Sequence, residues 1–177
     1  GVGLQTAGLR QLRQPPAVCD TYRRLARGLG EVGYYRTGNA NFWIEGDGAA
    51  AERVTATWVT ASMLPMLGVA PLLGRPFTAD EERLAGSQAV ILSESIWRTR
   101  FDARADVIGK TLMVNSVPRE IVGVMPARFA FPAADTRLWL PARPALGSVV
   151  ADFAYSGVAR LAPGATAEQA QRELAVV

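Results

Sequence analysis

The stretch RVTATWVT at residues 53–60 decides the class of fold, because its apolar and polar side chains alternate with the period of a β-strand. Val54, Ala56 and Trp58 would share one face of that strand. The residues that follow, 61–67, favour a short helix that ends at Gly68. A strand that leads directly into a short helix indicates a mixed architecture.

Strands and short helices are predicted on both sides of that stretch. Asp20 or Thr21 would start a helix that Gly28 and Gly30 end, and Ser93 or Ser95 would cap a helix that carries Ile96, Trp97 and Phe101. Strands are predicted over 34–36, 41–44, 89–92, 111–114, 120–124, 138–140 and 153–161. The elements follow no regular βαβα order, which favours an α+β fold.

Three sequence patterns predict local chain reversals and helix starts. Thr78–Glu81 and Thr166–Gln169 each have the pattern of a capping box, in which the first and last residues satisfy backbone amides at a helix start. Asn115-Ser116 is typical of the turn of a hairpin, with Pro118 favouring an edge or bulge in the second strand.

Two shifts in composition predict how the chain is divided. Residues 46–51 are small and flexible, and residues 141–151 are rich in Pro, Ala and Gly. We expect the chain to cross between two subdomains at these points. The middle part, 53–146, would be a mixed α/β insertion into a unit built from 1–52 and 147–177.

Composition excludes several classes of function. The 177 residues include no histidine and one cysteine, Cys19, which excludes Ser-His-Asp hydrolysis, His-ligated zinc and an intrachain disulfide. The net charge is +3, Lys110 is the only lysine, and the basic residues are scattered, so a nucleic-acid groove is not expected. No apolar run approaches the ~20 residues that span a bilayer, and nothing at the start is typical of a signal peptide.

The motifs that could carry chemistry favour structural roles. Gly28–Gly33 matches G-x-G-x-x-G but follows a predicted helix, so we expect a helix end and a turn there. Asp80-Glu81-Glu82 follows a predicted N-cap and would serve the helix dipole rather than a metal. Asp102 and Asp106 are four apart but have Arg104 between them and lack the glycine of a calcium loop, and Cys19 is expected to be a structural thiol.

No Ser-Lys catalytic dyad is predicted, because the local spacing indicates no serine partner for Lys110. The apolar stretch around Met63–Leu73 is expected to lie in the core, with contact to lipid or a partner as the alternative. The four tryptophans, Trp43, Trp58, Trp97 and Trp139, are expected to anchor packing. The residues alone therefore predict no catalytic residue, no cofactor-binding residue and no metal ligand.

A series of short motifs resembles a known family in order and spacing. The motifs are MLPMLGV at 63–69, GRPFT at 74–78, AVILS at 89–93 with IWR at 96–98, VIGKTL at 107–112, IVGVMP at 121–126 and VARLAPGAT at 158–166. Together they resemble the MacB-like periplasmic core domain of ABC-transporter permeases in the MacB/FtsX-like group. The variants at 74–78 and 123–126 are most similar to the orphan-permease branch.

The resemblance implies a domain between the first and second transmembrane helices of a permease, on the periplasmic face of the inner membrane. It implies a porter-like part from both chain ends, incomplete at Val177, around an inserted mixed α/β part. Its partners would be the permease's own transmembrane helices, a cytoplasmic ATPase subunit and an envelope protein. It also implies no catalytic residues. From their own chemistry, Gly68, Gly74, Gly109 and Gly123 are expected at turns or bulges that favour a residue without a Cβ, and Arg75 and Arg98 are expected to anchor backbone carbonyls or carboxylates between elements.

Three hypotheses about function follow. The first is a non-catalytic domain for contact and mechanical coupling to the transmembrane dimer. The second is a periplasmic ligand-binding module with a cleft between the two parts. The third is a histidine-free enzyme that uses Asp, Glu or Ser with a hard metal.

Overall fold

The computed structural model describes residues 9–13, 29–46, 48, 50–83, 85–86, 88–143, 155–166 and 168–169. Its strands are β1 Leu9–Arg13, β2 Leu29–Trp43, β3 Glu52–Val59, β4 Leu73–Gly74, β5 Ala89–Ser93, β6 Thr111–Val114, β7 Val117–Met125, β8 Thr136–Pro141 and β9 Ser156–Leu161. Its α-helices are α1 Met63–Met66 and α2 Glu94–Phe101, and 3-10 turns cover Ala79–Glu82 and Ala105–Val107. The α+β class is confirmed.

The chain divides into two compact units, one of Gly1–Arg36 with Pro144–Val177 and one of Thr37–Arg143. They are called here the smaller and the larger unit. The strand β2 begins in the smaller unit and ends in the larger one. The assignment of a porter-like part to 1–52 and 147–177, around an insertion at 53–146, stays a prediction.

The smaller unit contains a three-stranded antiparallel sheet. Its middle strand is β9, which pairs with β1 through Leu9↔Arg160 to Arg13↔Ser156 and with the first half of β2 through Tyr34↔Gly157. The register with β2 shifts between Leu29 and Val32, which marks a bulge. The ring of Tyr34 packs edge-on against that of Tyr155, with centroids 5.5 Å apart.

The larger unit is a sheet of six strands that closes on itself. The order runs β2-β3-β8-β5-β7, and β6 pairs with both β7 and β2 to complete the ring. The pairs β3–β8 and β5–β7 are parallel, whereas β5–β8, β6–β7 and β2–β6 are antiparallel. The short strand β4 pairs with β7 outside the ring.

All six strands of the ring contribute to one apolar cluster. Most contribute residues two apart, which lie on the same face of a strand. The strand members are Ala40, Phe42, Val54, Ala56, Val90, Leu92, Leu112, Val114, Ile121, Val124, Leu138 and Leu140. A ring of this size has an interior that side chains fill. Ile96, Trp97 and Phe101 of α2 belong to the same cluster, so the helix is fixed to this core.

One sequence prediction is wrong in its extent, because the structure forms a single strand where two were expected. Residues 34–36 and 41–43 belong to the 15-residue strand β2, which already begins at Leu29, and Ile44 lies just beyond its end. Gly30 therefore lies in a strand and does not end a helix. Pairing with β9 and with β6 carries the strand through its glycines, and neither partner is local in sequence.

Other predicted elements are confirmed. Ser93 is the N-cap of α2, and its Oγ accepts the Ile96 amide. Asn115 and Ser116, with φ of 49° and 64°, form the turn between β6 and β7. At the second capping box, the Thr166 amide donates to Gln169 Oε1 and the Gln169 amide to Thr166 Oγ1. Cys19, the predicted helix as far as residue 28 and the helical positions Ala167, Ala170 and Leu174 lie outside the described residues. Leu29, predicted as the last apolar position of that helix, instead begins the strand β2.

Candidate functional site on the larger unit

The acidic triplet Asp80-Glu81-Glu82 is dispersed by the 3-10 turn that it occupies. The Asp80 carboxylate is exposed and lies 3.5 Å from Arg83 Nη1. Glu81 is only 3% exposed, and the Glu82 carboxylate accepts the backbone amide of Ala61. The three carboxylates therefore serve three different contacts. Among the described residues, no group of three His, Cys, Asp or Glu side chains is placed to hold a metal ion.

The Glu81 carboxylate accepts hydrogen bonds from Arg75 and from the Thr78 amide. Arg75 Nη2 donates to Oε1 at 2.9 Å and Arg75 Nη1 to Oε2 at 3.2 Å, while the Thr78 amide donates to Oε2 at 2.8 Å. Burial by itself would raise the pKa of Glu81, but these hydrogen bonds and the charge of Arg75 outweigh it, so the pKa is lowered. The predicted anchoring role of Arg75 is thus seen as a bidentate ion pair.

Two further arginines bind the same segment and were not predicted from the sequence. Arg143 Nε donates to the carbonyl oxygen of Glu81 at 2.8 Å, and its Nη2 to that of Gly86 at 3.1 Å. Arg119 Nη1 donates to the carbonyl oxygen of Ala89 at 3.4 Å. The pKa of Arg119 is lowered to about 10, chiefly by burial and then by the charge of Arg143.

Asp106 and Lys110 are engaged with each other. Lys110 Nζ lies 3.2 Å from Asp106 Oδ2, and Arg104 binds both carboxylate oxygens at 3.1 Å. The hydrogen bond from Arg104 is the largest cause that lowers the pKa of Asp106 to about 2. Asp102 has φ of 51° and terminates α2 as its C-cap. These groups form a surface network in which Lys110 faces a carboxylate rather than a serine.

A small pocket lies where β5 leads into α2. Its volume is about 100 Å³, and Ser93, Ser95, Thr136, Phe129 and Trp139 are among its lining residues. The Ser93 and Ser95 hydroxyls bond each other at 3.0 Å. The Thr136 hydroxyl is buried and has no hydrogen-bond partner among the residues that the structure describes. The pocket has room for about one to three waters.

Glu94 forms an ion pair with Arg98 of the same helix and also joins α2 to the loop after β7. Arg98 Nη2 donates to Glu94 Oε1 at 2.7 Å, and Glu94 Oε2 accepts the Ala127 amide at 2.8 Å. That amide is the largest cause of a lowered pKa of Glu94, followed by Arg98. Arg98 therefore binds a carboxylate of its own helix, whereas the sequence predicted an anchor between elements.

Three residues of the apolar stretch after β3 are buried. Met63, Leu64 and Met66 have exposures of 1% or less, which confirms that they are core residues. Leu72 of the same stretch has 49% of its surface exposed. Trp139 is also buried, and its Nε1 donates to the carbonyl oxygen of Phe131 at 3.0 Å. Trp139 is a packing anchor, as expected.

The glycine motif at 28–33 forms no phosphate-binding turn in its described part. Gly30 and Gly33 lie on β2, so neither opens a helix. The expectation of a helix end and turn at Gly30 is wrong for the same reason. Within the part of the chain that the structure describes, no helix combines the length and apolar character needed to cross a bilayer.

Comparison with known proteins gives one family. Residues 8–177 match the family described as MacB-like periplasmic core domain. The macrolide export ATP-binding/permease protein MacB of Shigella dysenteriae serotype 1 (strain Sd197) is 28% identical over 101 residues. That match covers 55% of this chain and 16% of the relative, so the chain spans a small part of that protein's length.

Three solved structures share the fold. The periplasmic region of MacB from Actinobacillus actinomycetemcomitans has a TM-score of 0.70 at 17% identity, covering 90% of this chain and 70% of that one. A domain of a putative permease from Porphyromonas gingivalis has a TM-score of 0.67 at 20% identity, covering 90% and 76%. The extracellular domain of the noncanonic ABC-type transporter YknZ from Gram-positive bacteria has a TM-score of 0.65 at 15% identity, covering 90% and 78%.

The family match extends over almost the whole chain, and the fold agrees with it. This chain therefore belongs to the MacB-like periplasmic core domain family and is a periplasmic domain of a MacB/FtsX-like ABC-transporter permease.

Proposed function

We propose that this domain is non-catalytic and works by contact, transmitting movements of the permease's transmembrane dimer to a substrate or an envelope protein. Its other partners are its own transmembrane helices and a cytoplasmic ATPase subunit, where ATP is hydrolysed. Mechanical coupling of this kind needs a domain with two arrangements of similar free energy, whose balance is set by the state of the distant subunit.

The observation that carries the proposal is the use of polar side chains in the larger unit. Glu81 binds Arg75, Glu82 binds a backbone amide, Asp106 binds Arg104 and Lys110, and Ser93 caps a helix. A general base must be able to reach a substrate proton, and a nucleophile must be paired with a base. Groups held in internal bonds support a structural role instead.

The closed ring supports mechanical coupling. Its strands share one apolar cluster, and close-packed interiors transmit strain rather than absorb it. A rigid unit of this kind can pass on a displacement without unfolding. The alternative of a ligand-binding cleft between the two parts stays a prediction.

The test uses the intact permease and its ATPase in membrane vesicles. Asp80→Asn and Asp102→Asn should leave transport within about twofold of the parent, because a catalytic carboxylate would cost about 100-fold or more. Deletion of the domain should abolish transport while ATP hydrolysis continues. Loss of transport by 100-fold in either isosteric variant, with the domain still folded, would show chemistry and contradict the proposal.

The gene that encodes the chain provides a second test. We expect one hydrophobic segment upstream and about three downstream, each of about 20 apolar residues. A reading frame that lacks such segments would count against a permease.

A further inference from the structure

The pocket where β5 leads into α2 is partly enclosed and partly open to solvent. Ser95 and Ala134 of its lining are exposed and Arg137 is half-buried, whereas Phe129 and Trp139 are buried. A small molecule can therefore enter from solvent past the exposed residues and contact the buried ones.

Thr136 adds a buried hydroxyl without a partner to this lining. The residue is 3% exposed, and its Oγ1 forms no hydrogen bond within the described ranges. A buried hydroxyl that has lost water without gaining a partner costs free energy. Because no hydrogen bond fixes its torsion, this hydroxyl can turn towards an acceptor that occupies the pocket.

The N-terminus of α2 adds further donors. Ser93 Oγ accepts the Ile96 amide and lies 3.0 Å from Ser95 Oγ, and both serines line the pocket. Whichever serine donates in that bond, the hydroxyl of the other keeps a proton to donate. The first amides of a helix have no partner within the helix, and the helix dipole favours negative charge beside them.

Arg137 supplies a positive charge to the same lining. Its Nη1 donates to the Ala134 carbonyl at 3.3 Å, and no carboxylate in the described part of the chain forms an ion pair with it. Glu94, the acidic residue of the lining, already binds Arg98 with Oε1 and the Ala127 amide with Oε2. The pocket therefore combines one unpaired positive charge with more donors than acceptors.

A short monocarboxylate matches these features. Its single negative charge balances that of Arg137, and its two oxygens can accept from a guanidinium and from a hydroxyl. A divalent anion would bring a second negative charge close to Glu94. Pro126 and Phe129 offer carbon atoms to a short apolar tail. The volume of about 100 Å³ suits a carboxyl group with about one further carbon, which fills the space of two to three waters.

We propose that this pocket binds a short monocarboxylate, with Arg137 and the Thr136 and serine hydroxyls as its donors. The carboxylate is supplied by a small organic acid or by an acidic side chain of another polypeptide. This inference does not depend on the proposed function. Failure to bind a carboxylate would leave the coupling role untouched, and failure of the coupling role would leave this site untouched.

The test follows the amide resonances of Ser95 and Thr136 in the ¹⁵N-labelled 177-residue chain by NMR. Sodium acetate is the probe, and sodium chloride and sodium sulfate at the same ionic strength are the references. The Asn115 amide, in the turn between β6 and β7, reports effects outside the pocket. We expect saturable shifts of the two pocket amides with acetate, no shift of Asn115, and no saturable shift with chloride or sulfate.

Variants separate binding from a general effect of charge. Arg137→Gln should weaken acetate binding about tenfold or more, because it removes a charged donor. Arg128→Gln is the matched control, since Arg128 is an exposed arginine of the neighbouring loop that does not line the pocket. It should leave the affinity unchanged.

Thr136→Val tests the buried hydroxyl. It should weaken acetate binding about fivefold, because one hydrogen bond to the carboxylate is lost. Without acetate it should melt no lower than the parent, since the hydroxyl that it removes has no partner to lose. A chain that melts lower and binds acetate as tightly as the parent would assign the hydroxyl to the fold and overturn its role as a donor.

A peptide distinguishes the two sources of the carboxylate. Acetyl-Gly-Asp-Gly-amide that binds more tightly than acetate would indicate an acidic side chain of a partner polypeptide, and equal or weaker binding would indicate a small acid. The proposal is overturned if the pocket amides of the parent do not shift with acetate, or shift equally with chloride. Tighter binding of sulfate than of acetate, or an equal loss of affinity in Arg128→Gln and Arg137→Gln, would overturn it as well.

Discussion

Glu81 stabilises the turn that it belongs to through its charge, because its carboxylate accepts three hydrogen bonds and is 3% exposed. Glu81→Gln keeps the size of the side chain but loses the ion pair with Arg75. We expect it to lower the free energy of unfolding by about 2 kcal/mol. Chemical denaturation measures this value. Asp80→Asn, at the exposed neighbouring position, should change it by less than about 0.5 kcal/mol.

The effect of Glu81 should depend on pH in one direction. Its pKa in the folded chain is lowered from 4.5, so its contribution is complete above that value and is lost as pH falls through the folded pKa. The difference in unfolding free energy between the parent and Glu81→Gln should therefore shrink below about pH 4.5. A difference that grows on acidification would contradict the ion pair.

Arg119 and Arg143 show why this part of the candidate site could not be predicted. Each binds the carbonyl of a residue that is distant along the chain: Ala89 for Arg119, and Glu81 and Gly86 for Arg143. No local pattern marks such a contact, because it arises only when β7 and the end of β8 pack against residues 81–89. The anchoring role of Arg75 was easier to predict, because its partner Glu81 follows it by only six residues.

At the scale of elements, β4 is attached to β7 by a close approach of two glycines. A Cβ on Gly74 would lie 2.1 Å from the Val122 carbonyl oxygen, and one on Gly123 would lie 2.7 Å from that of Arg75. Gly74 also has φ of 74°, which L-residues with a side chain rarely adopt. Both positions therefore need glycine for the pairing of these strands.

Gly74→Ala should destabilise the chain by about 3 kcal/mol, from the strained φ and the clash together. Gly68→Ala is the control, because Gly68 has a similar φ of 72° but open space where a Cβ would lie. It should cost about 1 kcal/mol. Thermal unfolding of both variants measures the difference. Equal costs would mean that the approach of β4 to β7 is looser than the structure shows.

The hairpin of β6 and β7 can be stabilised at its turn. Ser116 has φ of 64°, so Ser116→Gly should raise the free energy of unfolding by about 0.5 kcal/mol, since Asn-Gly suits this turn best. Asn115→Gly should give no such gain, because Asn115 Oδ1 accepts the Asn41 amide at 2.9 Å and that bond would be lost. Denaturant titration distinguishes them, and a gain from both variants would contradict the role of Asn115.

Elements whose signals are local in sequence were predictable. The Ser93 cap, the turn at Asn115-Ser116 and the Thr166–Gln169 box depend on residues within a few positions of each other. The strand β2 could not be predicted as one continuous strand, because Gly30, Gly33 and Gly38 suggest interruptions of it. Its continuity comes from pairs such as Tyr34↔Gly157 and Phe42↔Val114, which join distant parts of the chain.

At the scale of the whole molecule, closure of the larger unit could not be predicted from strand order. The strand β6 joins β7 through a short turn but joins β2 across some 70 residues, and only the second pairing closes the ring. The class and the family were accessible from short motifs that recur in order. A closed ring has no long free edge, which suits a unit that presents a surface to partners.

The most direct test of the coupling role is hydrogen exchange in the intact permease with its ATPase, compared between the nucleotide-free and ATP-trapped states. We expect amides of the ring strands, such as Ile91 on β5 and Leu138 on β8, to keep the same strong protection in both states. Exchange elsewhere in the domain should change with nucleotide. Identical exchange throughout the domain in both states would contradict a role in transmitting movement.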